Sequence, residues 1–150
     1  REQVDTLVAA TRFPPEGERG VAPSVRAGHY GRVPVSEYVH AAPDPLLVIQ
    51  VERALNREEL RALLAAPIDV CFIGAVDLSA NMGSTGELTP DVRGRITAIC
   101  DAAEEAGVAI GAHGMGPEVD ARARYRTLGA DVTALAERLA ELKSRGLGAR

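Results

Sequence analysis

Between Leu46 and Gly111 the chain alternates buried-strand and helix signatures at short, regular intervals, and few folds accept that pattern. Leu46-Leu47-Val48-Ile49-Gln50-Val51 is an apolar run of the kind expected of a parallel strand covered on both faces. Asn56-Arg57-Glu58-Glu59 then opens a helix with a capping-box arrangement, and Leu60, Leu63 and Leu64 form its inner face. Ile68–Gly74 reads as a second strand. Thr89-Pro90-Asp91 starts a long helix, with Thr at the N-cap and Pro at the first helical position, and Gly107 stops it after about Ala106. Val108–Gly111 is a third strand. Pro117 begins a helix expected to run to about Leu128, and Gly129–Thr133 is a short fourth-strand candidate. Leu135, Leu139 and Leu142 stripe a terminal helix that ends near Gly146.

Strand and helix alternating at this spacing predict parallel βα units joined by right-handed crossovers. Two α/β architectures satisfy that: a doubly wound sheet, or part of a TIM barrel. A whole barrel takes about 250 residues and eight strands. A chain of 150 residues, with three clear strands and a fourth candidate, supplies at most half of one. With 46% hydrophobic residues it has the material for a packed core.

The region before Leu46 is less regular. Val4, Leu7 and Val8 give Gln3–Ala10 a helical face, which Phe13-Pro14-Pro15-Glu16-Gly17 terminates. Residues 17–34 form a long loop rich in Gly, Pro and Arg, and such loops commonly carry function or cover a partner. Arg26 and Arg32, near His29, read there as solvated loop residues or as contacts to an anion or a neighbouring subunit. Ser36–Ala42 is a short helix closed by Pro43 and Pro45. The sequence opens on Arg1 rather than Met, as a processed chain or a piece of a longer reading frame would.

Composition excludes several classes. A net charge of −4 offers no basic footprint for nucleic acid, and 3% aromatic residues without Trp offer no stacking platform. No stretch approaches the roughly 20 apolar residues of a membrane span. Cys71 and Cys100 sit among apolar neighbours, with no CxxC and no His at zinc-ligand spacing, and read as buried free thiols. The expectation is a cytoplasmic protein that binds neither membrane nor nucleic acid.

Ligands of parallel βα proteins bind where the strands end. Two acids stand there: Glu52 past the first strand and Asp77 past the second. Strand alternation turns Gln50 and Glu52 to one face, and neighbouring strands about 4.8 Å apart would let both carboxylates converge. An oxygen-only pair suits a hard divalent ion such as Mg²⁺ or Mn²⁺. The plainer alternatives are an exposed acid opening a loop for Glu52, and a helix cap for Asp77. The sharp turn at Gly74-Ala75-Val76-Asp77 could also present backbone N–H groups to an anion. Among the histidines, His113 in Gly111-Ala112-His113-Gly114-Met115-Gly116 stands at a strand end and is a candidate site-lining residue, or else a loop residue; His29 and His40 do not. The same glycines run GxxGxG rather than GxGxxG, a weak match to dinucleotide binding.

Gln50-Val51-Glu52, followed by Phe72-Ile73-Gly74-Ala75-Val76-Asp77-Leu78-Ser79-Ala80-Asn81-Met82-Gly83, resembles the HpcH/HpaI aldolases, metal-dependent pyruvate aldolases of the phosphoenolpyruvate/pyruvate barrel superfamily. Ala10–Pro15, Arg19-Gly20-Val21, Tyr38, Thr89-Pro90-Asp91-Val92 and Ala106-Gly107 extend the resemblance over nearly the whole chain. It implies that Glu52 and Asp77 ligate Mg²⁺ or Mn²⁺, with Co²⁺ a third candidate. Gln50, Gly74 and the amides of Val76 and Asp77 would then bind pyruvate. The implied reaction is reversible aldol cleavage of a 2-keto-4-hydroxy acid to pyruvate and a small aldehyde through a metal-stabilised enolate. No Schiff-base lysine is required, and the single lysine, Lys143, lies in the terminal helix. The implied assembly is a homo-oligomer, commonly hexameric.

Matched to that family, the chain begins at about the fourth helix, so the α/β fold the resemblance implies is the C-terminal half of a (β/α)8 TIM barrel, a single partial barrel domain over residues 1–150. The first four strands, with the family's acid/base His and pyruvate-clamping Arg, lie outside it, so no catalytic residue of that kind is assigned. Ala75 replaces the usual Pro, Arg53 a small hydroxyl residue, and the eighth strand is shortened. Two alternatives remain at this stage: a non-catalytic half-barrel for binding or assembly, and a small α/β binder of an anion or nucleotide.

Overall fold

The computed structural model describes residues 1–146. Its centre is a sheet of four parallel strands: β1 (Val48–Val51), β2 (Val70–Ile73), β3 (Ala109–Ala112) and β4 (Tyr125–Arg126). The helices are α1 (Glu2–Thr11), α2 (Val35–Ala41), α3 (Arg57–Leu64), α4 (Ala75–Asn81), α5 (Pro90–Glu105), α6 (Pro117–Arg122) and α7 (Asp131–Ser144). The strands lie in chain order, β1-β2-β3-β4. A doubly wound sheet reverses its order at a switch point and carries helices on both faces. Consecutive order is instead how strands succeed one another in a barrel wall.

The register runs Ile49↔Cys71↔Ile110 and Gln50↔Phe72↔Gly111↔Tyr125. Alternation then separates two faces. Ile49, Val51, Cys71, Ile73, Ile110 and Ala112 are buried, in one core cluster with Leu60 and Leu64 of α3 and Ile96, Ile99, Cys100 and Ala103 of α5. Both thiols are free and buried, as the sequence predicts. On the opposite face Gln50 is exposed and Val48 and Phe72 are half-buried, although Val70 is buried. Phe72 and Tyr125 meet edge to face there, their ring centroids 6.2 Å apart. Gly111 lies between them in the register, and a Cβ on it would come within 2.7 Å of Phe72 Cδ2.

Helix boundaries follow the capping chemistry. Asn56 and Glu59 form the expected capping box on α3. Thr89 caps α5 by accepting from the Val92 N–H, with Pro90 at the first position. Before β1, an edge-to-face contact between Phe13 and Tyr38 and the Arg19 guanidinium, 4.5 Å above the Phe13 ring, pin the loop to α2. Among the described residues no helix is long and apolar enough to cross a membrane.

Most boundaries fall within a residue or two of expectation, and three elements differ by more. The helix at Pro117 ends at Arg122 rather than near Leu128, and the fourth strand is Tyr125–Arg126, not Gly129–Thr133. Local sequence favours neither change. The strand forms because Arg124 N–H donates to Ile110 O (3.0 Å) and Thr127 N–H to Ala112 O (3.4 Å), while the Arg126 guanidinium donates to the carbonyls of Asp120 and Ala123 at the end of α6. Gly129, at φ 127°, breaks the chain, and Asp131 and Val132 enter α7. The third difference is α4, which starts directly at Ala75. Asp77 therefore lies in its first turn and is not its cap.

The leucine stripe of α7 stays outside the core cluster, with Leu142 half-buried. Leu135 and Leu139 are 60% and 56% exposed.

Candidate active site

The carboxyl edge of β1 and β2 gathers the polar side chains. Ile49 and Val51 point into the core, so Gln50 and Glu52 share the other face. Gly74 stands beside them one residue beyond β2, where its N–H donates to Val51 O (3.0 Å) and extends the ladder. A Cβ at Gly74 would lie 2.5 Å from Glu52 Cγ, 3.0 Å from Glu52 Oε1 and 3.2 Å from Gln50 Nε2. The two side chains thus lean over Gly74 into space that only a missing side chain leaves open.

Gly74 also starts α4, since Leu78 N–H donates to Gly74 O (2.8 Å). The N–H groups of Ala75, Val76 and Asp77 precede that first intrahelical bond and have no acceptor within the helix. Asp77 and Val76 are exposed and Glu52 is half-buried. The Ser79 hydroxyl, fully buried, donates to Val76 O (2.7 Å) and accepts from Gly86 N–H (2.7 Å), which fastens the loop after α4.

One contact here has no sequence signature. The Ala54 N–H, just past Glu52, donates to Asn81 Oδ1 at the end of α4 over 3.0 Å.

His113 is exposed beyond β3, and its Nδ1 lies 3.0 Å from Thr127 O. The other two histidines belong elsewhere. His40 Nδ1 is 2.6 Å from Ser36 O within α2, and His29 sits in the turn at Arg26–Gly31, where it and Tyr30 both adopt positive φ.

The donor set can be tested against a divalent ion. No hydrogen bond or ion pair with the described residues takes up either the Glu52 or the Asp77 carboxylate. No group of three or more His, Cys, Asp or Glu side chains is placed to hold a metal among the described residues. Two uncommitted carboxylates on an open edge match a hard ion that keeps several waters and takes only one or two protein ligands; they do not match zinc. In donor chemistry the two residues are compatible with a hard divalent ion.

Consecutive parallel βα units in chain order define a barrel-type α/β protein, a class in which ligands bind at the carboxyl edge of the strands. More particularly, the chain belongs to the HpcH/HpaI aldolase/citrate lyase family, whose model matches residues 1–141. It is 40% identical over 139 residues to a hydroxypyruvate/pyruvate aldolase of Chromohalobacter salexigens, covering 89% of this chain and 53% of that protein. It is 36% identical over 138 residues to a 5-keto-4-deoxy-D-glucarate aldolase of Salmonella arizonae, covering 90% of this chain and 52% of the relative. Among solved structures, an HpcH/HpaI aldolase/citrate lyase family protein from Burkholderia cenocepacia superposes with a TM-score of 0.80 at 33% identity, over 96% of this chain and 61% of that one. The chain spans about half the length of the curated relatives it matches, and corresponds to their C-terminal portion.

Proposed function

We propose that the protein serves the reversible aldol cleavage of a 2-keto-4-hydroxy acid to pyruvate and a small aldehyde. The convergence of Glu52 and Gln50 over Gly74, at the carboxyl edge of the sheet, carries this reading. The names of the relatives, aldolases of pyruvate and of a keto-deoxy sugar acid, support it.

In this reading Glu52 and Asp77 hold Mg²⁺ or Mn²⁺, with Co²⁺ a further candidate. When bound, the ion supplies Lewis-acid stabilisation of the negative charge that develops on the keto oxygen during C–C cleavage. Gln50 orients pyruvate from β1. Gly74 leaves room for it, and the N–H groups of Val76 and Asp77 face its carboxylate. His113 lines the rim. Cleavage removes the C4 hydroxyl proton as the C3–C4 bond breaks, and a proton later returns to C3. No residue of this chain is assigned to those transfers. The protein works as a homo-oligomer in the cytoplasm.

Deuterium exchange into the pyruvate methyl group, followed by NMR with Mn²⁺ or Mg²⁺, tests this. Exchange that stops with a chelator and in Glu52→Ala is the expected result. Folded protein that gives no exchange overturns the reading for this chain. The half-exposed sheet face would then favour the second reading, a barrel wall that serves assembly.

A further inference from the structure

We infer that Asn81 is a positioning residue that draws the Glu52 loop onto the face of α4 bearing Asp77, and so sets the separation of the two carboxylates. The inference rests on the metal reading above.

Glu52 and Asp77 come from different strand-to-helix connections, 25 residues apart in sequence. Nothing in either connection alone fixes one against the other. Glu52 lies beyond the last residue of β1, and the segment from Glu52 to Asn56 belongs to no helix or strand. Arg53 and Ala54 are exposed. A loop of that kind wanders unless something holds its backbone.

The Asn81 amide oxygen does so. It accepts from the Ala54 N–H at 3.0 Å, two residues past Glu52. Asn81 is the last residue of α4, and Asp77 lies four residues earlier on the same helix. Positions i and i+4 share a helix face. The hydrogen bond therefore ties the Glu52 loop to the face that carries Asp77. The other end of the same loop is fixed independently, by Arg95 Nη1 donating to Leu55 O (3.0 Å) and by the Asn56 capping box. Before Glu52 the Gly74 N–H holds Val51 O at the strand end, and after Glu52 the Ala54–Asn81 bond is the first that ties the loop to another element. The Asn81 side chain is engaged by the Ala54 N–H and is not one of the ligands in the metal reading, so its effect passes through Glu52.

The test uses Mn²⁺ alone, with its affinity read from water proton relaxation in the intact chain. Asn81→Ala removes the acceptor, and Ala54→Pro removes the donor without touching α4. Each is expected to weaken Mn²⁺ binding about 10-fold, the usual effect of losing a group that orients a metal ligand. The double variant should lose no more than either single. Asn81→Asp keeps the acceptor oxygen and should bind within about 3-fold of the parent or tighter. Amide exchange of Ala54 in metal-free protein should accelerate in Asn81→Ala and not in Asn81→Asp. Parental affinity in Asn81→Ala, with binding abolished in Glu52→Ala, overturns the inference and leaves the metal reading standing. So does an Asn81→Asp variant as weak as Asn81→Ala. A parent chain that binds no Mn²⁺ sinks both.

Discussion

Glu52 occupies the space that a side chain at Gly74 would fill: its Cγ lies 2.5 Å from where a Cβ on Gly74 would stand. Strand parity brings Glu52 to that face, and the glycine lets it lie down on the sheet edge beside the start of α4. Gly74→Ala must push the carboxylate stem aside. Mn²⁺ affinity should fall at least about 10-fold, while overpacking costs about 1–3 kcal/mol of stability. Isothermal titration and urea denaturation measure the two effects separately. An unchanged affinity would show that Glu52 has other room.

Gly111 plays the same part beneath the aromatic pair. A Cβ there would meet Phe72 Cδ2 at 2.7 Å, Val70 Cγ1 at 3.0 Å and the Phe72 Cα at 3.1 Å. Gly111→Ala is expected to destabilise by about 1–3 kcal/mol. Phe72→Leu in that background should recover part of the loss, because neighbours in contact do not contribute additively. Urea midpoints of the two single variants and the double variant decide it.

The Asn56 box closes α3 with two reciprocal bonds, Glu59 N–H to Asn56 Oδ1 (3.0 Å) and Asn56 N–H to Glu59 Oε2 (2.7 Å). Asn56→Ala should cost about 1 kcal/mol. It also loosens the far end of the Glu52 loop, so a smaller drop in Mn²⁺ affinity than that of Asn81→Ala is expected.

Burial pushes the Cys71 thiol up to about 12 from an ordinary 9.0, with the nearby Cys100 adding to the rise. Burial also raises Cys100, partly offset by the Arg122 guanidinium. The folded chain keeps protons that the unfolded chain releases above pH 9. This stability is complete below pH 9 and is lost as pH rises from there through about 12. The urea midpoint should fall between pH 8 and pH 10, and neither thiol should react with a disulfide reagent at pH 8 until the protein unfolds. Rapid labelling of folded protein would contradict the burial.

Leu135 and Leu139 leave an apolar stripe on α7 bare, on a chain whose sheet face is also partly open. Such a surface drives association. Sedimentation velocity should show a species that grows with concentration, and Leu135→Glu with Leu139→Glu should reduce it. A monomer at every concentration would remove α7 from any interface.

Sequence by itself determined the βα alternation, the caps at Asn56 and Thr89, the burial of Cys71 and Cys100, and the shared face of Gln50 and Glu52. It also carried the family, through the residues around Glu52 and Asp77. Each of these is written in local periodicity, in the reach of a side chain to its own backbone, or in a short motif. Tertiary structure decided the rest. Tyr125–Arg126 is a strand only because Ile110 and Ala112 offer their carbonyls to the residues on either side of it. A two-residue strand bearing exposed side chains leaves no pattern in sequence. The fold likewise brings Ala54 to Asn81, 27 residues apart, and lays Glu52 over Gly74. Contacts of that kind exist only once packed helices hold separate strand ends side by side, and no local signal in either segment announces its partner.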